Sequence, residues 1–128
     1  MIQRNSSLKY IMDYDTEGIV VQREALNYQN SKIYSIRCRS DPSLVFIDCT
    51  TQPLNKRFSF HKSEYKRWLA DRNKKYNCVF HLLQHPDCYI ELIEKVECND
   101  IEHLLKIRYE TIRSMDCINK DITKNKMV

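Results

Sequence analysis

Apolar and β-branched residues are concentrated in two short runs, residues 32–38 and 44–49. Such residues favour the pleated, half-buried surface of a β-strand. Between the runs, residues 40–43 supply aspartate, proline and serine, which tight turns prefer. A third run, residues 89–96, alternates apolar and polar positions as a strand with one buried face does. The pattern therefore predicts a β-hairpin and a third strand.

The spacing becomes helical after the second run, which predicts a helix over residues 54–74. Thr50 and Thr51 are candidate caps, and Pro53 suits a first helical turn. Arg57 and His61 are four residues apart and so share one face of this helix. The residues that recur three or four positions apart are Leu54, Phe58, His61, Tyr65, Trp68 and Leu69.

A second helix is predicted over residues 101–115, where Asn99 and Asp100 provide an N-cap. Its apolar stripe consists of Ile101, Leu104, Leu105, Ile112 and Met115. Arg108 falls inside this stripe, four residues from both Leu104 and Ile112. A charged residue in that position either reaches a polar site or extends out to solvent.

These elements predict an α+β fold, in which helices flank a small three-stranded antiparallel sheet. A chain of 128 residues is long enough for one domain with a core of its own. We divide it into an N-terminal accessory segment (1–31), the folded domain (32–119) and a polar tail (120–128). Apolar runs at 8–12 and 19–21 predict a second hairpin within the N-terminal extension.

Composition limits the kinds of partner and the cellular compartment that we expect for the protein. The net charge of +4 is compatible with a nucleic-acid partner and does not require one. No apolar run approaches the ~20 residues of a membrane span, and no signal peptide is visible. The six cysteines form no C-x-x-C pair, so we expect reduced thiols in an intracellular, cytosol-like compartment.

Four residues of zinc-binding type lie close together in the middle of the chain: Cys78, His81, His85 and Cys88. Their spacing is more compressed than that of familiar zinc fingers, and Pro86 interrupts it. We therefore interpret them as core or surface residues and predict no cofactor.

The order of strand, turn, strand and helix with an R-x3-H pair resembles the GIY-YIG nuclease family. The letters IY at 33–34 stand where that family has the IY of GIY, and FID at 46–48 stands where it has YIG. The run CTTQPLNKRFSFHKSEY is most similar to the compact GIY-YIG domains of large DNA viruses. The resemblance covers residues 32–119.

The resemblance implies that several functional positions of the family's active site are retained in this sequence. Tyr34 matches the tyrosine that acts as general base or orients water, and Arg57 matches the arginine that stabilises charge on the scissile phosphate. His61 would belong to the same site, and Asn119 matches the closing asparagine of the family.

Other positions depart from the family, and the departures weaken the expected metal site. Phe46 replaces the second tyrosine, while Lys32 and Asp48 replace the two signature glycines. Arg108 stands where the family has its metal-binding glutamate and would repel the Mg²⁺ or Mn²⁺ that hydrolysis requires. Glu110 lies about 200° further around the helix and cannot substitute.

We therefore expect a non-catalytic binding or structural module that joins a protein assembly, with a large DNA virus particle as the setting that the resemblance implies. One alternative is a nucleic-acid binder without cleavage, with Lys62, Lys66 and Arg67 on phosphates. The other is an active DNA endonuclease dependent on Mg²⁺ or Mn²⁺. In the first reading, Arg57, Arg108 and, if it is protonated, His61 converge and bind an anion rather than a metal, and Asn119 is a further binding residue.

Overall fold

The computed structural model describes residues 10–14, 20–24 and 27–119. A 3₁₀ helix, Tyr28–Asn30, precedes the central strand of the larger sheet. The strands are β1 (Tyr10–Tyr14), β2 (Val20–Glu24), β3 (Ser31–Cys38), β4 (Val45–Thr50) and β5 (Cys88–Val96). The helices are α1 (Leu54–Ala70), α2 (Phe80–Leu83) and α3 (Ile101–Ser114).

The predicted α+β fold is confirmed. Strands β4, β3 and β5 form an antiparallel sheet in that order, with β3 in the centre. In the β3–β4 hairpin, Lys32 lies opposite Thr50 and Arg37 opposite Val45. Strands β1 and β2 also pair antiparallel, from Tyr10 opposite Glu24 to Tyr14 opposite Val20. The N-terminal hairpin therefore exists, with strands that begin and end later than predicted.

The two faces of the sheet carry separate apolar clusters. On one face, Tyr34 and Ile36 pack with Phe46 and with residues of α1 and α2. On the other face, Ile33 packs with Ile47 of β4 and with the buried residues of α3. Because both faces of β3 are covered, residues 33–36 are all buried instead of alternating between buried and exposed.

Helix α1 is shorter than predicted and lacks the expected cap. It ends at Ala70, because Asp71 adopts an extended backbone and its side chain accepts a hydrogen bond from the backbone N–H of Asn73. Such local bonds compete with helix continuation. At the other end, Pro53 occupies the N-cap position, and the Thr50 hydroxyl accepts from the backbone of Gln52 instead of capping the helix.

Helix α3 begins at the predicted residue, and its buried apolar stripe is narrower than the stripe that the sequence predicts. The Asp100 carboxylate accepts a hydrogen bond from the backbone N–H of His103, which caps the first turn. Leu104 and Ile112 are buried, whereas Ile101 in the first turn and Leu105 at the border of the stripe are exposed. The buried stripe thus runs along the line that also carries Arg108.

After α3 the chain returns to the outer edge of β4. The backbone N–H of Ile118 donates to the carbonyl oxygen of Val45, at 2.8 Å. The side chain of Asn119 then accepts from the N–H of Ile47 and donates to its carbonyl, both at 2.8 Å. This segment closes the edge of β4 much as an additional strand would.

Two expectations from composition concern cysteines and membranes. All six cysteines have free thiols. Among the helices of the described ranges, none combines the length and the apolar character that a bilayer crossing requires.

Candidate functional site

A pocket of about 600 Å³ opens between α1, β4 and α3. Helix α1 contributes Arg57 and His61, strand β4 contributes Phe46 and Asp48, and helix α3 contributes Arg108. Residues that are far apart in the sequence therefore meet at one place. They include most of those that the resemblance selects.

Tyr34 lies beneath this pocket and is completely buried. Its hydroxyl is 2.6 Å from Nε2 of His61, and Nε of Arg57 donates to the same oxygen at 3.1 Å. Since the guanidinium can only donate, the hydroxyl proton is available for the histidine nitrogen. The hydroxyl thereby has both a donor and an acceptor within the protein.

Burial sets the protonation of this pair. Desolvation, together with the nearby Arg57 charge, lowers the pKa of His61 to about 4. The ring is therefore neutral at neutral pH, which fits its role as acceptor for Tyr34. Desolvation and then the Asp48 carboxylate raise the pKa of the Tyr34 hydroxyl far above its ordinary value. The pair is thus a neutral, buried hydrogen bond at neutral pH.

Asp48 connects the two arginines of the pocket. Its Oδ1 accepts from Nε of Arg108 at 2.9 Å and from its own neighbour, the backbone N–H of Cys49, at 2.8 Å. Its Oδ2 forms an ion pair with Arg57 at 3.7 Å. Asp48 is directly opposite Tyr34 in the hairpin, so both side chains belong to the same face of the sheet.

From the sequence, Asp48 was identified as the replacement of a glycine, and its position between the arginines was not foreseen. A signal was present, because alternation along β4 places Asp48 on the face of Phe46. The pairing of Asp48 with Arg108, however, joins residues 60 positions apart. It depends on how α3 packs against β4.

The charged side chains that line the pocket leave it with an excess of one positive charge. Arg57, Lys75 and Arg108 oppose Asp48 and Glu64, and His61 is neutral. A guanidinium carries five N–H donors in a fixed fork, and Asp48 engages only some of those on each arginine. Both guanidinium groups therefore contact the same carboxylate, and their remaining N–H groups can donate to an anion.

Two exposed aromatic rings also line the pocket. Phe60 is 45% exposed and Tyr76 is 50% exposed, both high values for large aromatic side chains. The guanidinium carbon of Arg57 lies 4.7 Å from the centre of the Phe60 ring, within cation–π range. The pocket therefore combines an arginine pair with flat apolar surface.

The predicted phosphate contacts on α1 lie elsewhere. Lys66 is nine residues from Arg57, about 180° around the helix, and Lys62 is stacked over Phe58 at 4.2 Å. Arg67 forms an exposed ion pair with Glu64. None of these three cations lines the pocket, although Glu64, the partner of Arg67, does. Asn119 lines the pocket with its side chain bonded to the backbone of β4.

The structure separates the four zinc-type residues of the middle segment. Cys78 lines the pocket, where desolvation and then Asp48 raise the pKa of its thiol to about 11, so it is not a ready nucleophile. His85 lies instead with Cys38 and Asp87, and the ligand atoms of these three residues are within 4.8 Å of one another. Among residues 27–119, these are the three side chains of metal-ligating type whose ligand atoms lie close enough together to hold one ion.

No protein-family model matches the sequence, and neither a curated protein nor a solved structure matches it. The resemblance to GIY-YIG nucleases therefore stays a prediction.

Proposed function

We propose that this protein is a non-catalytic binding module with a GIY-YIG-like fold, which holds an anionic group of its partner on the N–H groups of Arg57 and Arg108 that Asp48 does not engage. The observation that carries the proposal is the position of Asp48 between the two guanidinium groups. The planar fork of N–H donors on each arginine suits paired oxygens of a carboxylate or phosphate.

The environment of Asp48 supports binding of an anion rather than of a metal. A divalent cation needs carboxylate oxygens that are free to coordinate it. Both oxygens of Asp48 already face guanidinium groups. A cation placed there would also have to approach two positive side chains.

The burial of Tyr34 supports a non-catalytic role. A general base or a water-orienting group has to come within hydrogen-bond distance of the reacting atoms. Tyr34 has no exposed surface, and its hydroxyl is engaged by His61 and Arg57. Phe46, which has no hydroxyl, lines the pocket and contacts the His61 ring edge-on.

Purified protein is expected not to nick supercoiled plasmid DNA in Mg²⁺ or Mn²⁺, because Arg108 and Asp48 neutralise each other where a cleaving site would hold its metal. The assay compares the wild type with Tyr34→Phe, which keeps the buried ring and removes the hydroxyl. Metal-dependent nicking that disappears in Tyr34→Phe would contradict the non-catalytic proposal and favour the endonuclease alternative.

Binding itself is testable with inorganic phosphate as the probe. Titration should shift the NMR signals of the Arg57 and Arg108 side-chain Nε–Hε groups in a saturable way. Arg108→Gln should weaken binding by roughly tenfold, as expected for the loss of one charge-assisted hydrogen bond of ~1.5 kcal/mol.

Arg39→Gln is the matched control, because it removes an exposed arginine that lies outside the pocket and contacts Tyr89 rather than a pocket residue. It should bind phosphate as the wild type does. Equal affinity in Arg108→Gln and the wild type, or equal weakening in both variants, would count against the arginine pair as the binding site.

A nucleic-acid partner is the second candidate, and the exposed rings of Phe60 and Tyr76 favour it. Bases stack on such rings, while their phosphates approach arginine. The cations Lys62 and Lys66 could then follow the strand beyond the pocket. Affinity for a single-stranded oligonucleotide that falls steeply with added salt, and is lost in Phe60→Ala, would support this candidate over a protein partner.

A further inference from the structure

We propose that Cys38, His85 and Asp87 form a zinc-binding site, separate from the arginine pocket and independent of the function proposed for it. The three residues come from different places in the fold. Cys38 is the last residue of β3, His85 follows α2, and Asp87 immediately precedes β5. Their ligand atoms lie within 4.8 Å of one another.

The donor set matches zinc. Thiolate, imidazole and carboxylate are the three ligand types that Zn²⁺ accepts, at bond lengths of about 2.0–2.3 Å. A tetrahedral ion with those bonds holds its ligand atoms roughly 3.3–3.8 Å apart. Because the ligand atoms are at most 4.8 Å apart, side-chain movements of no more than about 1 Å bring them to these separations. Hard ions such as Mg²⁺ prefer all-oxygen sites and fit a thiolate poorly.

One oxygen at this site lacks any other role. Oδ2 of Asp87 accepts a hydrogen bond from the backbone N–H of Ser40 at 2.6 Å, which orients the carboxylate. Oδ1 is buried and has no hydrogen-bond partner, and it is the single such side-chain atom among the described residues. A buried, unpaired carboxylate oxygen is costly. Coordination of a cation would satisfy it.

The backbone around the three ligands is already organised. The N–H of His85 donates to the carbonyl of Leu82 at 3.0 Å, and the N–H of Cys88 donates to the carbonyl of His85 at 3.3 Å. Cys38 is paired with Cys88 across the sheet and is almost fully buried. The loop between α2 and β5 thus holds His85 and Asp87 against the end of β3.

Metal binding would proceed by replacement of a proton. The Cys38 thiol donates weakly to the carbonyl oxygen of Leu82, at 3.5 Å. On binding, the thiol releases its proton to solvent and its sulfur bonds to zinc, while neutral His85 and ionised Asp87 bind through lone pairs. With three protein ligands, the fourth zinc position is open to water, because His85 and Asp87 are both partly exposed.

The test uses the full chain, stripped of metal with a chelator and kept reduced. Co²⁺ serves as a spectroscopic probe, and Zn²⁺ affinity is measured by competition with a chromophoric chelator. The wild type should bind one equivalent of metal and show thiolate-to-cobalt charge-transfer absorption. Zinc should also raise the thermal midpoint by several degrees, since the ion binds the folded state.

His85→Gln should weaken zinc binding by at least ~100-fold, because it removes a direct ligand. Even the loss of a residue that only hydrogen-bonds to a ligand lowers metal affinity 10–100-fold. His81→Gln is the matched control. Its ring is a neighbour of His85, at 6.4 Å between centroids, and it lies outside the converging trio. Asp87→Asn tests the unpaired oxygen and should weaken binding while leaving the sheet intact.

Each of the following results would overturn the proposal. They are equal zinc affinity in His85→Gln and the wild type, equal loss in His81→Gln and His85→Gln, and a cobalt complex of folded protein without thiolate absorption. Cys38→Ser completes the series, and cobalt absorption that survives in this variant would assign the thiolate to another cysteine and overturn the site as well. None of these outcomes depends on the arginine pocket.

Discussion

Asp48→Asn is expected to lower the free energy of unfolding by about 2–3 kcal/mol and, at the same time, to tighten phosphate binding in the pocket. Removal of one partner from a buried ion pair costs 3–5 kcal/mol, because the remaining charge is left uncompensated. The side chains of Asp48, Arg57 and Arg108 are 19%, 25% and 33% exposed, so solvent screens part of this loss.

The two effects have opposite signs for one reason. Without the Asp48 charge, Arg57 and Arg108 repel each other in the free protein, and a bound anion relieves that repulsion. Urea unfolding measures the loss of stability, and the phosphate titration measures the gain in affinity. A change in stability without any gain in affinity would show that the arginines separate when Asp48 is neutral.

Asp116→Asn is the control, because Asp116 is exposed and lies outside the pocket. It should change stability by less than about 0.5 kcal/mol. In the double variant Asp48→Asn/Arg108→Gln, the loss should be smaller than the sum of the two single losses, because the charge that Asp48→Asn leaves unpaired has been removed. Strict additivity would argue against a direct interaction between the two residues.

Acidification should destabilise the protein through His61, by about 2 kcal/mol between pH 7 and pH 5 and about 3 kcal/mol by pH 4. The folded-state pKa is about 4, against an ordinary value of 6.5. Between these values the unfolded chain binds a proton that the folded protein does not bind. Stability therefore rises with pH across this window and is lost as the pH falls through it.

The measurement is urea unfolding at several pH values between 4 and 7, in the wild type and in His61→Gln. The variant should lose most of the pH dependence between 5 and 7, where carboxylates contribute little. His81→Gln, which removes an exposed histidine of α2, should keep the wild-type slope. An unchanged slope in His61→Gln would mean that another group causes the acid sensitivity.

Most of the fold could be predicted from local sequence patterns. The β3–β4 hairpin and α3 follow from short-range features, namely β-branched runs, turn residues and capping residues. The errors were local as well. Helix α1 ends four residues early because the Asp71 side chain bonds to the backbone of Asn73, and helical spacing alone does not report such competition.

The candidate site was predictable only in part. Helical spacing places Arg57 and His61 on one face, and strand pairing places Tyr34 opposite Asp48. The protonation of His61 was not predictable, because it depends on the loss of water around the ring. The analysis of the sequence left open a protonated His61, whereas burial makes the ring neutral.

By itself, the sequence determined the elements of this protein and the side chains that each element presents, because periodicity and turn chemistry act over a few neighbouring residues. Only the tertiary structure decided which of those side chains meet. Asp48 forms a hydrogen bond with Arg108, 60 positions away in the sequence. Cys38, at the end of β3 that is far from Lys32, lies close to His85 and Asp87. Such contacts depend on how whole elements pack, since packing sets distance, burial and charge together.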